Sequence, residues 1–166
     1  DMSARTTAMT LGISNATTVF GNWKNGSGTA FTGTSALTFS GGGTQTITSA
    51  GKTFTTPITI DTYGGTVQLA DALNIGTQIL TVTNGTFSTQ GYAVTANQLF
   101  SSNSNVRTIN LGSSTVTLAI SNAYSVEFST ATNLTFNAGT SQITMTGRTG
   151  SGNYRNSIRI ISDKSS

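Results

Sequence analysis

The chain has 166 residues, of which 34 are Thr, 21 Ser, 19 Gly and 14 Asn, while 35% are hydrophobic, 8% are charged, and His and Cys are absent. Without those two residue types there is no thiol nucleophile, no imidazole base, no Ser-His-Asp triad, no disulfide and no zinc site of His or Cys ligands. The net charge of +3 comes from eight Lys and Arg against five acids; phosphate contacts need clustered cations and these are scattered apart from Arg148, Arg155, Arg159 and Lys164 near the C-terminus, so no nucleic-acid partner is expected.

Regularly placed Ile, Val, Leu and Phe argue for a folded chain, because disordered sequences lack such apolar patterning. No apolar run reaches the length of about 18 residues that a membrane helix needs, and no basic segment leads into an apolar stretch as in a secretory signal. Residues 1–16 alternate weakly through Met2, Met9, Leu11 and Ile13, and 1–18 are read as an N-terminal arm or cap. From Val19 the apolar residues recur with period two, which sends alternate side chains to opposite faces of a strand. Strands of three to six residues are expected at 46–48, 58–60, 66–69, 80–83, 108–111, 116–118, 126–128, 134–136, 143–145 and 158–160. Thr fills the outward positions, since its branched Cβ suits a pleated surface and its hydroxyl tolerates water. Gly41-Gly42-Gly43, Ala50-Gly51, Gly64-Gly65, Asn84-Gly85 and Ala138-Gly139 supply the corners between them. No stretch carries the 3.6-residue period of a helix. Residues 19–147 are expected to form the repeat domain and 148–166 a C-terminal strand and tail, with continuation into a longer polypeptide left open.

The strands echo one another. Ile47-Thr48 followed by Thr53-Phe54 recurs 33 residues on as Leu80-Thr81 followed by Thr86-Phe87, and Thr66-Val67-Gln68-Leu69 recurs 42 residues on as Thr108-Ile109-Asn110-Leu111. Degenerate repeats of short strands with Gly or Asn corners are what a β-solenoid requires, each coil stacking on the last around one apolar column. The alternative is an antiparallel sandwich or jelly roll, with Asn84-Gly85 as a hairpin turn. It calls for longer strands and cleaner hairpins, so the expected fold is all-β, a right-handed parallel β-helix. Coils of about 20–25 residues at about 4.8 Å per rung make a rod on the order of 35 Å long. Its predicted core contains Ile47, Phe54, Ile58, Ile60, Val67, Leu69, Leu80, Val82, Ile109, Leu111, Val116, Leu118, Val126, Phe128, Leu134, Phe136, Ile143 and Met145.

The run Thr44-Gln45-Thr46-Ile47-Thr48-Ser49-Ala50-Gly51-Lys52-Thr53-Phe54, then Pro57-Ile58-Thr59-Ile60, Gly65-Thr66-Val67-Gln68-Leu69-Ala70-Asp71-Ala72-Leu73 and Leu134-Thr135-Phe136-Asn137-Ala138-Gly139-Thr140, resembles repeats of the large right-handed parallel β-helix proteins of bacteriophages and bacterial surfaces. The resemblance covers about residues 19–147. It implies a structural role in a virion, as tail fibre, spike or capsid-attached subunit, or in a bacterial adhesin or filament, located on the virion or outside the cell. It further implies self-association as a trimer or stacked assembly, contact with other virion or surface proteins, and no cofactor.

Several motifs invite chemistry. Gly51-Lys52-Thr53 resembles the end of a phosphate-binding loop, but Thr46 stands where that motif needs Gly and no helix follows, so it reads as a corner. Glycoside hydrolysis usually takes two carboxylates across one bond; Asp61 and Asp71 follow strands and read as turn residues, and Glu127 alternates with Val126 and Phe128 and faces out. An enzyme is therefore not expected. Trp23, in a polar loop, is a candidate contact for a sugar of a cell-surface glycan or for a partner subunit, against the plainer reading of packing over a terminal coil. Arg148, Tyr154, Arg155 and Arg159 form a second candidate contact surface for an acidic neighbour. Sequons at Asn15, Asn25, Asn84 and Asn133 are expected by chance in so Thr-rich a chain.

Overall fold

The computed structural model describes residues 1–119, 124–146 and 158–160. Among them there is no helix, and every strand pair is parallel. The result is a parallel β-solenoid with three faces that recur in fixed order. The first face comprises Thr17–Val19, Leu37–Phe39, the beginnings of Ile58–Leu69 and Ile79–Ser88, Gln98–Phe100, Val126–Phe128 and Ile158–Ile160. The second comprises Trp23–Lys24, Thr44–Thr48, the ends of the same two long strands, Arg107–Asn110 and Leu134–Asn137. The third comprises Met9–Gly12, Thr29–Thr32, Leu73–Asn74, Val94–Ala96, Thr115–Leu118 and Gln142–Met145, with Thr53 bridging to Asn74.

One circuit of the faces is one coil. Met9 pairs with Thr29, Ile58 with Leu80 and Leu99 with Val126, steps of 20, 22 and 27 residues. The 42-residue echo is two such steps, since Thr66 pairs with Thr86 and Thr86 with Thr108. The 33-residue echo is not a coil: Ile47 stacks on Leu69 of the second face, while Leu80 belongs to the first. All three faces share one alternation, so segments of different faces resemble each other without being stacked.

Two strands exceed the expected length, Ile58–Leu69 with 12 residues and Ile79–Ser88 with 10. Each rounds the corner between the first and second faces without losing its ladder, and the register slips at Asp61 where the extra residues bulge. Gly64-Gly65 and Asn84-Gly85 lie inside these strands, so Asn84-Gly85 turns a solenoid corner and no hairpin forms. The N-terminal segment also carries rungs, with Met9–Gly12 paired to Thr29–Thr32 and the Met2 amide donating to the Lys24 carbonyl at 2.7 Å.

Inward side chains stack into continuous columns. Leu37, Ile58, Leu80, Leu99 and Val126 stand in register on the first face, and Val67, Phe87 and Ile109 on the second. All are buried, and a column of this kind replaces water by close-packed neighbours above, below and across. The predicted core from Ile47 to Phe128 is buried, and Ile13, Phe31, Leu37, Phe39, Leu73, Ile75, Phe87, Val94, Ala96 and Leu99 extend it. Leu134, Phe136 and Ile143 pack on its edge, half-buried. Thr occupies the outward columns: Thr18, Thr38, Thr59 and Thr81 on the first face, Thr44, Thr66, Thr86, Thr108 and Thr135 on the second, and Thr95, Thr117 and Thr144 on the third.

Candidate functional site

Between Leu80, Phe87, Leu99 and Leu118 the interior leaves a gap of about 10 Å³ lined only by apolar side chains, at the lower limit for one water and without the polar partners that would hold it. Recognition by this stretch of the rod therefore belongs to its surface, and above all to its corners.

Trp23 is not in a loop. It opens a second-face strand, pairs with Ile47 and lies half-buried. Its ring centroid is 6.1 Å from that of Phe31 and 6.2 Å from that of Phe54, and those two Phe rings stack at 4.5 Å. The indole Nε1–H donates to Asn25 Oδ1 at 2.7 Å, and Asn25 Nδ2 in turn donates to the Ser49 carbonyl at 3.0 Å. The ring thus seals the core near the N-terminal end, and its polar handle is engaged inside the chain. Buried Asn25 leaves no room for a glycan at that sequon.

Of the C-terminal contact candidates, Arg148, Tyr154 and Arg155 lie outside the described residues. Arg159 stands in register above Glu127 on the outward column of the first face, with its guanidinium carbon 5.3 Å from the centroid of the Tyr124 ring. That is cation–π distance.

The carboxylates are held by corners. Asp71 Oδ1 accepts the Ser49 amide and Oδ2 the Ala50 amide, both at 2.7 Å, tying down the corner of the coil beneath, where Ala50 and Gly51 have φ of 52° and 71°. Lys52 N–H closes the same turn onto the Ser49 carbonyl, so Gly51-Lys52-Thr53 is a solenoid corner. Asp61 accepts the Asn84 side-chain amide at 2.5 Å. Glu127 faces outward, accepting Gln98 Nε2 at 3.1 Å and Ser129 Oγ at 2.7 Å. Asp61 lies at the corner before the second-face rung Thr66–Leu69 and Asp71 beyond its far end; the four residues of that rung alone span on the order of 13 Å at about 3.3 Å per residue. They do not converge on one bond as a glycosidase pair does.

Replacing Asp71 by Ala removes two charge-assisted hydrogen bonds from the half-buried corner. The expected loss is about 1–3 kcal/mol of unfolding free energy. Urea unfolding followed by circular dichroism checks it, with Asp61→Ala, which loses one such bond, expected to cost less.

Sequence reasoning missed the most heavily bonded side chain. Arg107 is fully buried. Its Nε donates to Ser101 Oγ at 2.6 Å, one terminal nitrogen donates to the carbonyls of Asn105 and Thr132, both at 2.8 Å, and the other to those of Ser101 at 3.2 Å and Thr130 at 2.5 Å. Ser101 Oγ–H in turn donates to the Val82 carbonyl at 2.7 Å. The guanidinium thus joins the corner 101–106 to the corner 129–133 of the next coil, and through Ser101 to the coil before. No carboxylate takes part, and desolvation pushes the Arg107 pKa below its ordinary value. The fork geometry of arginine suits this set of oxygens, which a lysine could not span. The signal was available: period two puts Arg107 in phase with Ile109 and Leu111, both inward.

The structure also exposes a ridge that sequence reasoning did not find. Phe20, Tyr63 and Val106 are the most exposed large apolar side chains among the described residues, at 73%, 83% and 75%. All three lie on the corner between the first and second faces, on alternate coils.

No family model matches the chain, and no curated protein or solved structure is significantly similar to it. The functional reading therefore rests on the chain's own chemistry.

Proposed function

We propose that the chain is a non-enzymatic structural subunit of a bacteriophage particle, a tail-fibre, spike or capsid-attached β-solenoid whose task is stiffness and assembly. The observation that carries this reading is the use of its polar groups: Asp61, Asp71, Glu127 and Arg107 are each bonded within or between coils, as befits a rod held rigid by its corners. Stacked coils resist local opening because each rung is bonded to neighbours above and below. Half-exposed Met9 and Leu11 at the N-terminal end of the described stack favour axial joining to a further subunit or domain, since a rung paired on one side is a template for more strand.

The test is immunogold electron microscopy on phage particles and on host cells, with reducing-end release measured on surface polysaccharides. Label on a virion appendage or capsid supports the proposal. Label on uninfected cells replaces it with the bacterial adhesin or filament subunit of the same fold. Glycan cleavage lost in Asp61→Asn overturns the non-enzymatic reading.

A further inference from the structure

Glycine marks a place where the fold forbids a side chain or where something else comes close. Most described glycines have an internal reason: a positive φ, as at Gly64 and Gly85, or a Cβ position within 3.0 Å of another atom, as at Gly41 and Gly65. Four have neither, namely Gly12, Gly21, Gly42 and Gly43. At Gly21, Gly42 and Gly43 nothing lies within 4 Å of where a Cβ would stand. These three are neighbours on one corner. A Cβ on Gly41 would strike the Phe20 carbonyl, and one on Gly65 would strike the carbonyls of Gly41 and Gly43, so the corners of three successive coils are stacked in van der Waals contact. The outer two carry Phe20 and Tyr63, 73% and 83% exposed, and the middle one presents bare backbone.

The corners that carry these two exposed aromatic residues, two rungs or about 10 Å apart at the usual strand spacing, thus lie on either side of a glycine corner that neither a positive φ nor a close contact requires. The corner residues 20–22, 40–43 and 62–65 carry no formal charge, and the acid beside them, Asp61, is held by Asn84. Hydroxyls and an amide surround the notch, on Ser40, Thr44, Thr66 and Asn22. The ladder of Thr44–Thr46 toward the preceding coil is replaced by a side chain, Asn22 Oδ1 accepting the Thr46 amide at 2.8 Å, while Thr44 is paired to Thr66 and Thr66 to Thr86 on the other side, so no run of open ladder positions is offered to a peptide there. Aromatic faces, a floor without side chains and neutral hydrogen-bonding groups match the C–H face and hydroxyl edge of an uncharged sugar ring. We propose that the notch of Phe20, Gly42, Gly43 and Tyr63 binds a neutral hexose-based glycan. This stands on the corner geometry and is independent of where the protein resides.

The experiment is saturation-transfer NMR on the whole chain with maltohexaose, cellohexaose, laminarihexaose and mannohexaose, followed by titration of whichever responds. Tyr63→Ala, Phe20→Ala and Gly42→Val are each expected to weaken binding about tenfold or more, with melting temperatures unchanged because all three sites are open to solvent. Tyr92→Ala, at an exposed tyrosine on another corner, is expected to leave binding as it was. Four silent oligosaccharides, or binding that ignores the three variants, overturn the proposal. So does a lower melting temperature in Gly42→Val, which would give that glycine a folding reason. Sedimentation velocity supplies the remaining outcome: a self-association abolished by Tyr63→Ala would make the notch a contact between copies and overturn the glycan reading.

Discussion

Arg107→Leu is expected to cost about 3–5 kcal/mol, because a few buried acceptors lose their donor at about 1–3 kcal/mol each. The side chain donates to four carbonyl oxygens and one hydroxyl, and leucine replaces its carbon stem without replacing a donor. Carbonyls stripped of partners away from water each carry a desolvation penalty of about 1–3 kcal/mol, which is why the apolar substitute does not rescue the site. Arg107→Lys keeps the charge but reaches fewer oxygens in one plane, so an intermediate loss is expected. The damage is also local. In a stack where each coil contacts only its neighbours, amides of 101–105 and 129–133 are expected to exchange faster while those of Ile58–Leu69 keep their protection. Equilibrium denaturation with hydrogen exchange by mass spectrometry checks both parts. A loss below about 1 kcal/mol, the scale of one ordinary hydrogen bond, would mean that water takes over the oxygens.

The fold was legible because one signal repeats. Period-two alternation located the rungs at 58–60, 66–69, 80–83, 108–111, 116–118 and 126–128, and the Thr positions within them are the outward columns. The rungs at Leu73–Asn74 and Val94–Ala96 were not legible, since the first has two residues and the second sets Val94 against the small Ala96, which gives a weak alternation. Coil length was obscured by the same uniformity that revealed the strands: Ile47-Thr48 and Leu80-Thr81 look alike and lie on different faces. The polar interior was hidden by assumption. Gln45 is buried, donating to the Val19 and Gly21 carbonyls at 3.0 and 2.8 Å and accepting the Gly41 amide at 2.7 Å, and like Arg107 it occupies an inward phase at the start of a second-face strand. Long polar side chains there reach back into the corner and bond the carbonyls that the turn has taken out of the ladder. Trp23 misled because its neighbours Asn22, Lys24 and Asn25 are polar, although Asn25 is itself an inward corner residue. The notch was beyond the sequence, because a glycine the fold needs and one it does not need are the same letter.

Gly85→Ala is expected to cost about 3 kcal/mol, from two sources that can be separated. The first is conformational. Gly85 has φ of 74°, where an L side chain costs about 1–2 kcal/mol. The second is steric. Its Cβ would lie 2.3 Å from the Thr62 carbonyl oxygen and 2.8 Å from that of Gly65, backbone atoms of the coil beneath, and pushing stacked coils apart costs about 1–3 kcal/mol more. Gly51→Ala isolates the first source, because Gly51 has φ of 71° with nothing within 4 Å of the new methyl; about 1 kcal/mol is expected there. Gly42→Ala has neither source and is expected to stay within about 0.5 kcal/mol of the parent, as open surface substitutions do. Urea unfolding of the three variants should rank them in that order. If Gly85→Ala merely equalled Gly51→Ala, the close stacking of corners would be refuted, and with it the argument that bare glycine elsewhere on this ridge answers to something outside the chain.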